Sequence, residues 1–172
     1  LLDGWLNIDL TESDFNLDLS CGKELPWKEN SFKIVAARHF IEHLHLETEL
    51  IPLLRNVHRV CAPEAVIWLS CPDIEKICTS SLSYKCVDLY ENRRRRYPSW
   101  SMGQMPVQHF INELFNQGGE HKNLFDFELL SWALESSGFQ SISKHDEMTF
   151  LSELPDFPPR NDDDVSLYVR AI

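Results

Sequence analysis

The sequence predicts an α/β fold, and three neighbouring segments carry that prediction. Residues 32–37 read Phe-Lys-Ile-Val-Ala-Ala, a β-forming run that follows turn-forming residues. Leucines and valines then recur at helical spacing from Glu47 to Cys61, with Pro52 near the start, and Ala65–Leu69 is a short apolar run. A strand, a helix and a strand in this order imply two parallel strands joined by a right-handed crossover.

Two short strands are predicted before this unit, at Trp5–Leu10 and Phe15–Leu19, because apolar residues there form short or alternating runs. Residues 73–119 carry only weak helical patterns. We therefore expect a single domain over residues 1–172, in which residues 73–125 form an insertion or a substrate lid.

A clearer pattern returns in the last third of the chain. Asp126 can cap a helix whose buried stripe includes Leu130 and Leu134, and Gly138 stands where a left-handed C-cap is usual. Strands are expected at Phe139–Asp146 and Val165–Ile172. A polar, proline-rich loop joins them, so they should pair antiparallel.

The composition narrows the range of functions. Sixteen basic and 27 acidic side chains give a formal charge of −11, which disfavours binding to nucleic acid because phosphate backbones are repelled. No apolar run approaches the ~20 residues of a membrane span. The five cysteines are an odd number without a CxxC pair, which argues against a disulfide framework. We expect a reduced, soluble, cytoplasmic protein, while the oligomeric state stays open.

Two early aspartates are candidates for ligand binding. Asp9 and Asp18 each end a predicted strand, and ligands of α/β proteins bind at the carboxyl edge of the sheet. A carboxylate there can accept hydrogen bonds from a ribose diol, and the pair Asp18-Leu19 can read an adenine edge. The alternative is that both are ordinary turn or strand-end residues.

The segment from His39 to His43 matches the pattern H-x-x-E-H found in zinc hydrolases. On a helix the two histidines would share a face and hold one metal, with Glu42 as the base. The alternative is a strand-to-helix turn in which His39 and Glu42 line a cleft and His43 forms a hydrogen bond.

Two other polar segments have both a functional and an ordinary interpretation. The run Arg93–Arg96 can bind an anion, but a solvated helix face is favoured on an acidic chain. His121 and Lys122 precede the helix capped by Asp126. In the functional interpretation their side chains point into a pocket, and in the ordinary one they are polar loop residues.

Taken together, several segments resemble the class I S-adenosylmethionine-dependent methyltransferases, most closely the small bacterial "predicted methyltransferase" group of type 11. The resemblance is carried by residues 3–10, 25–32, 39–44, 59–63 and 121–138. It implies a Rossmann-like, mostly parallel sheet with an antiparallel last strand. It also implies S-adenosylmethionine as the cofactor and an unidentified small molecule as the substrate.

The resemblance also implies roles for individual residues. Asp9 would hold the ribose hydroxyls, and Asp18 and Leu19 would face adenine. Residues 37–39 (Ala37, Arg38 and His39) would line the methionine side of the cofactor. His39 and His121 are the candidates for proton handling, and the site is expected to need no metal.

The sequence departs from the family at two places. The first strand and the glycine-rich loop would precede Leu1, so we expect a chain that lacks them. The usual Pro-Gly-Gly turn reads Pro63-Glu64-Ala65 in this chain. If the turn needs a positive φ, glutamate or alanine would be strained there. The alternatives to a methyltransferase are therefore a catalytically inactive, methyltransferase-like binding module and, less favoured, the metal-dependent hydrolase.

Overall fold

A computed structural model describes residues 4–172 and contains six strands and six α-helices in that range. The strands are β1 (Ile8–Asp9), β2 (Phe15–Asn16), β3 (Phe32–Arg38), β4 (Cys61–Pro72), β5 (Ser143–His145) and β6 (Ser166–Ala171). The helices are α1 (Ile51–Val60), α2 (Ile74–Tyr84), α3 (Val87–Arg96), α4 (His109–Asn116), α5 (Phe127–Glu135) and α6 (Glu147–Glu153). Within these residues no helix is both long and apolar enough to cross a membrane.

The main sheet has four strands in the order β3-β4-β6-β5. β3 pairs parallel with β4, which confirms the predicted strand–helix–strand unit. β6 pairs antiparallel with both β4 and β5, which confirms the predicted terminal pair. Consequently β3, β4 and β5 run in one direction and β6 runs against them, although only one of the three pairings is parallel. The sheet is smaller than the resemblance implies.

The first two strands differ from the expectation. β1 and β2 have two residues each and pair in parallel with each other, outside the main sheet. Polar side chains bind the local backbone: Asp14 accepts from the Asn7 N–H, and Asn16 accepts from the Ser13 N–H and hydroxyl. Such contacts compete with a longer strand ladder. Asp9 is exposed and ends β1 as predicted, but β1 is a short strand outside the main sheet.

Helix α1 begins close to its proline. A π-helical turn, Leu46–Leu50, leads into the helix at Ile51, and Pro52 stands in the first turn, where its missing N–H is not needed. The predicted start at Glu47 therefore falls in the irregular turn. Leu53 and Leu54 are on the buried face, as the periodicity predicts.

Helices cover both faces of the main sheet. Leu69 of β4 and Val169 of β6 belong to a core that includes residues of α1 and α5. On the opposite face, Trp68 and Tyr168 contact Phe150 of α6. The sequence analysis missed α6, a helix of seven residues whose N-cap Asp146 accepts from the Thr149 N–H.

The segment between β4 and α5 packs around a separate cluster. Ile77, Leu89, Phe110 and Leu114, from α2, α3 and α4, form this cluster with Val165, which precedes β6. The three helices therefore stand over the carboxyl end of β4. The interpretation of residues 73–125 as an insertion or lid stays a prediction.

The departure at Pro63-Glu64-Ala65 coincides with a strained backbone. Glu64 has a φ of +63°, and the register between β3 and β4 shifts there, from Phe32 opposite Cys61 to Ile34 opposite Val66. A side chain makes this conformation unfavourable, and glycine does not. The structure thus confirms that glutamate occupies a position that favours glycine.

We expect Glu64→Gly to raise the free energy of unfolding by about 0.5–1 kcal/mol, because the relief of strain exceeds the entropy that glycine gains in the unfolded chain. Denaturant unfolding measures this change. Glu64→Ala is the matched control, since it removes the carboxylate but keeps the Cβ atom. An equal gain in both variants would contradict the strain argument.

Candidate functional site

The candidate site lies at the carboxyl edge of β3 and β4. β6 runs in the opposite direction, so its first residues reach the same edge. Hydrogen bonds tie these ends together: the His39 N–H donates to the Ser70 carbonyl (2.8 Å), and the Asp73 N–H donates to the Val165 carbonyl (2.9 Å). This is the edge at which α/β sheets bind ligands.

His39 lies between two buried carboxylates. Its Nδ1 is 3.2 Å from Glu42 Oε1, and its Nε2 is 3.0 Å from Asp162 Oδ2 and 2.9 Å from Ser166 Oγ. Burial alone would lower the pKa of His39, but the bonds to Asp162 and Glu42 outweigh it and raise the pKa. The imidazole therefore holds its proton to higher pH, and the ring must lose this proton before it can accept one from a substrate.

Asp162 is fully buried and collects cationic and polar partners. Arg160 Nε lies 2.8 Å from Oδ2, Arg96 Nη1 lies 3.8 Å from the same oxygen, and the Tyr168 hydroxyl donates to Oδ1 at 2.8 Å. Burial would raise the pKa of Asp162, but the bonds from His39 and Arg160 outweigh it and lower the pKa. The carboxylate is therefore the centre of a buried charge network.

The arginine run contributes to this network at one end. Arg94 and Arg95 are exposed, as the solvated-face interpretation expects. Arg96 is largely buried beside Asp162, so that interpretation was wrong for it. The reason is tertiary, because the last turn of α3 ends next to the buried carboxylate.

The loop that carries Asp162 is held by Glu147, at the start of α6. The Glu147 carboxylate is 5% exposed and accepts the backbone N–H groups of Arg160, Asn161 (2.7 Å) and Asp162 (3.4 Å). The sequence analysis did not identify Glu147, Arg160 or Asp162. Asp162 is the first of three consecutive aspartates, and no pattern in the sequence distinguishes it from the other two.

A second cluster brings together Glu42, His43 and His121. One carboxylate oxygen of Glu42 and one ring nitrogen of each histidine all lie within 4.8 Å of one another. The segment before α5 is fixed to the turn after β3, because the N–H groups of Lys122 (2.7 Å) and Asn123 (3.2 Å) donate to the Glu42 carbonyl. Burial lowers the pKa of His121, which favours a neutral imidazole.

The H-x-x-E-H segment forms a strand-to-helix turn. β3 ends at Arg38, His39 has a φ of +53°, and Ile41–His43 is a single 3₁₀ turn. His43 Nδ1 lies 3.3 Å from the Glu120 carbonyl, as the non-catalytic alternative expects of a hydrogen-bonding residue. His39 faces Glu42 and Asp162, so the structure groups His121, and not His39, with His43.

The predicted adenosine residues lie outside the main sheet, on or next to the β1–β2 pair, and Leu19 packs against the main core. Asp9 Oδ1 accepts the Leu10 N–H (2.7 Å), and Asp18 accepts the Ser20 hydroxyl and N–H, bonds that lower its pKa. Both carboxylates are exposed, and Leu19 is partly buried. Asp9 ends β1 and Asp18 follows β2, so the two stand at the same edge of a parallel pair.

Ala37 and Arg38 are the last residues of β3. The Arg38 guanidinium lies over the rings of Phe150 and Phe157, at 5.2 and 5.3 Å, and its Nη1 donates to the Pro158 carbonyl (2.8 Å). The Arg38 side chain therefore packs on the α6 side of the sheet, while His39 turns to the buried carboxylates.

Comparison with known proteins identifies similar folds but no family. No protein-family model matches the chain, and no curated protein matches it significantly. A solved S-adenosylmethionine-dependent methyltransferase from Archaeoglobus fulgidus is similar, with a TM-score of 0.54, 15% identity, and coverage of 95% of this chain and 73% of that one. Human N-acetylserotonin methyltransferase, solved in complex with S-adenosylmethionine, is similar with a TM-score of 0.50, 12% identity, and coverage of 92% and 33%.

The chain is shorter than many of the structures that it resembles. In three further matches it spans between 32% and 52% of the solved chain. The comparisons therefore identify a Rossmann-like α/β fold of the kind found in these methyltransferases.

Proposed function

We propose that the chain is an S-adenosylmethionine-dependent methyltransferase domain that acts on a small molecule, related to the type 11 group. The observation that carries the proposal is the position of β6, antiparallel between β4 and β5, together with a polar turn at the carboxyl edge of β3. The likeness to solved methyltransferases supports the same conclusion at the level of the fold.

The proposed cofactor contacts follow the strand ends. Asp9 would bind the ribose hydroxyls, Asp18 and Leu19 would contact adenine, and residues 37–39 would line the methionine side. The exposed carboxylates of Asp9 and Asp18, at one edge of a parallel pair, fit a ligand that offers hydroxyl and amino donors. When bound, the cofactor supplies a methyl group on a sulfonium centre.

The methyl acceptor would lie beneath residues 73–125, close to His39 and His121. Methyl transfer depends mainly on in-line positioning of the two reactants, so a dedicated base is optional. A His39 ring that carries a proton between Glu42 and Asp162 is suited to positioning or to electrostatic stabilisation. His121, which favours the neutral form, is the better candidate for accepting a proton.

Isothermal titration with S-adenosylhomocysteine tests the proposal on the natural gene product. We expect one site per chain, and we expect Asp9→Asn to weaken binding at least tenfold, because a carboxylate that accepts two hydroxyls loses one acceptor. Glu12→Gln is the control, since it neutralises an exposed acid three residues away. Absence of binding, or an equal loss in both variants, would contradict the proposal.

A non-catalytic binding module is the second candidate. Both ring nitrogens of His39 face carboxylates, so the predicted catalytic histidine of the H-x-x-E-H turn is not poised to accept a proton. This candidate would be favoured if the chain binds S-adenosylmethionine but transfers no methyl group to any acceptor in a broad panel of small molecules. Methyl transfer that is lost in His121→Asn would favour the enzyme.

A further inference from the structure

We infer that Glu42, His43 and His121 form a binding site for a divalent transition-metal ion of the Zn²⁺ class. The site shares His121 with the proposed function, and a metal bound there would take the place of the proton that His121 is proposed to accept. It differs from the H-x-x-E-H pattern, because His39 is replaced as a ligand by His121, which lies 78 positions after His43 in the chain.

The first argument is the geometry of the cluster. The three ligand atoms lie within 4.8 Å of one another, and around a tetrahedral zinc ion such atoms are about 3.4 Å apart. Both histidines are only half buried, so small rotations of their rings can close this difference. The backbone bonds from Lys122 and Asn123 to Glu42, and the Asn123 side-chain bond to the Leu44 carbonyl, keep the two segments together.

The second argument is the state of the Glu42 side chain. It is 1% exposed, and its Oε2 accepts no hydrogen bond from the residues that the structure describes. His39 Nδ1 lies 3.2 Å from Oε1, but this contact leaves Oε2 without a partner. A buried acceptor oxygen without a partner is unfavourable, and a metal ion bound at Oε2 would satisfy it.

The third argument is the tautomer of the two histidines. His43 Nδ1 lies 3.3 Å from the Glu120 carbonyl, and His121 Nδ1 lies 2.9 Å from the Leu114 carbonyl. A carbonyl can only accept, so each Nδ1 carries a hydrogen, and Nε2 is the ring nitrogen left to bind a metal. Metal-binding histidines in proteins show this arrangement, in which a backbone carbonyl orients the ring.

The ligand set selects the class of metal. Two imidazoles and one carboxylate suit Zn²⁺ and its first-row neighbours, whereas Mg²⁺ and Ca²⁺ prefer oxygen ligands alone. Three protein ligands leave at least one coordination position open. The site can therefore bind a water molecule or an oxygen or nitrogen atom of a small ligand.

Zinc titration of the chelator-treated full chain tests the inference. We expect one Zn²⁺ per chain with a dissociation constant below about 1 μM, a higher melting temperature with Zn²⁺, and a Co²⁺ absorption spectrum typical of nitrogen and oxygen ligands. His43→Asn and His121→Asn should each weaken Zn²⁺ binding at least tenfold. Glu42→Gln should do the same while the metal-free protein stays folded, because glutamine keeps the shape of the side chain and its carbonyl oxygen can still accept from His39.

His45→Asn is the matched control, since His45 is exposed, lies two residues from His43 and is outside the cluster. Its zinc affinity should equal that of the wild-type chain. Zinc affinity that is unchanged in His43→Asn and His121→Asn, or that falls equally in His45→Asn, would overturn the inference. Since S-adenosylhomocysteine is absent from these titrations, their result is separate from the test of methyltransferase function.

Discussion

Asp162→Asn is expected to lower the free energy of unfolding by about 3–5 kcal/mol at neutral pH. The carboxylate is fully buried and faces His39, Arg160 and Arg96. Asparagine has a similar shape but no charge, so it leaves these cations without their common partner. Denaturant unfolding of both proteins measures the difference.

Asp156→Asn is the control for this change. Asp156 is an exposed aspartate of the same loop, and surface substitutions of this kind usually change stability by less than about 0.5 kcal/mol. A loss below about 1 kcal/mol in Asp162→Asn would contradict the view that Asp162 is the centre of the network.

The difference in free energy of unfolding between wild type and Asp162→Asn is expected to depend on pH. The pKa of Asp162 is lower in the folded chain than its ordinary value of 3.8, since the bonds from His39 and Arg160 outweigh the opposing effect of burial. A lowered folded pKa means that the ionised carboxylate contributes its full stabilisation above pH 3.8, and that this contribution falls as the pH drops below that value. The stability difference between wild type and Asp162→Asn should therefore narrow in acid. A difference that stays constant from pH 5 to pH 2.5 would contradict the assignment.

The comparison of sequence and structure shows which features local patterns can predict. β3, α1 and β4 follow from local periodicity, because each has a pattern of apolar residues that matches its own geometry. Asp126 and Gly138 mark the ends of α5 for the same reason, since capping is a property of a few adjacent residues.

Features that depend on partners distant in the chain were not predictable. α6 is short, and its apolar residue Phe150 has a clear role only once Trp68 and Tyr168 are known to face it. The histidines of the turn after β3 were identified from their spacing, but their partners were not. His39 meets Asp162, 123 positions later, and His43 meets His121, so the chemistry of both is decided by tertiary contacts.

Glu147→Gln is expected to lower the free energy of unfolding by about 2–3 kcal/mol. Its carboxylate accepts the N–H groups of Arg160, Asn161 and Asp162, and glutamine replaces one accepting oxygen by an amino group that cannot accept. At least one buried N–H then loses its partner. Glu135→Gln, an exposed change at the end of α5, is the control and should alter stability by less than about 0.5 kcal/mol.

A double-mutant cycle distinguishes a role of Glu147 in the charge network from a purely local one. Glu147 holds the backbone that brings Asp162 to His39. Once Asp162→Asn has weakened the contact with His39, the part of the Glu147 stabilisation that depends on this contact is already lost. We therefore expect the double variant to lose at least about 1 kcal/mol less than the sum of the two single losses. Strict additivity would mean that Glu147 stabilises its loop without supporting the contact between Asp162 and His39. A coupling energy would instead show that α6, through Glu147, supports the contact between Asp162 and His39 at the carboxyl edge of β3.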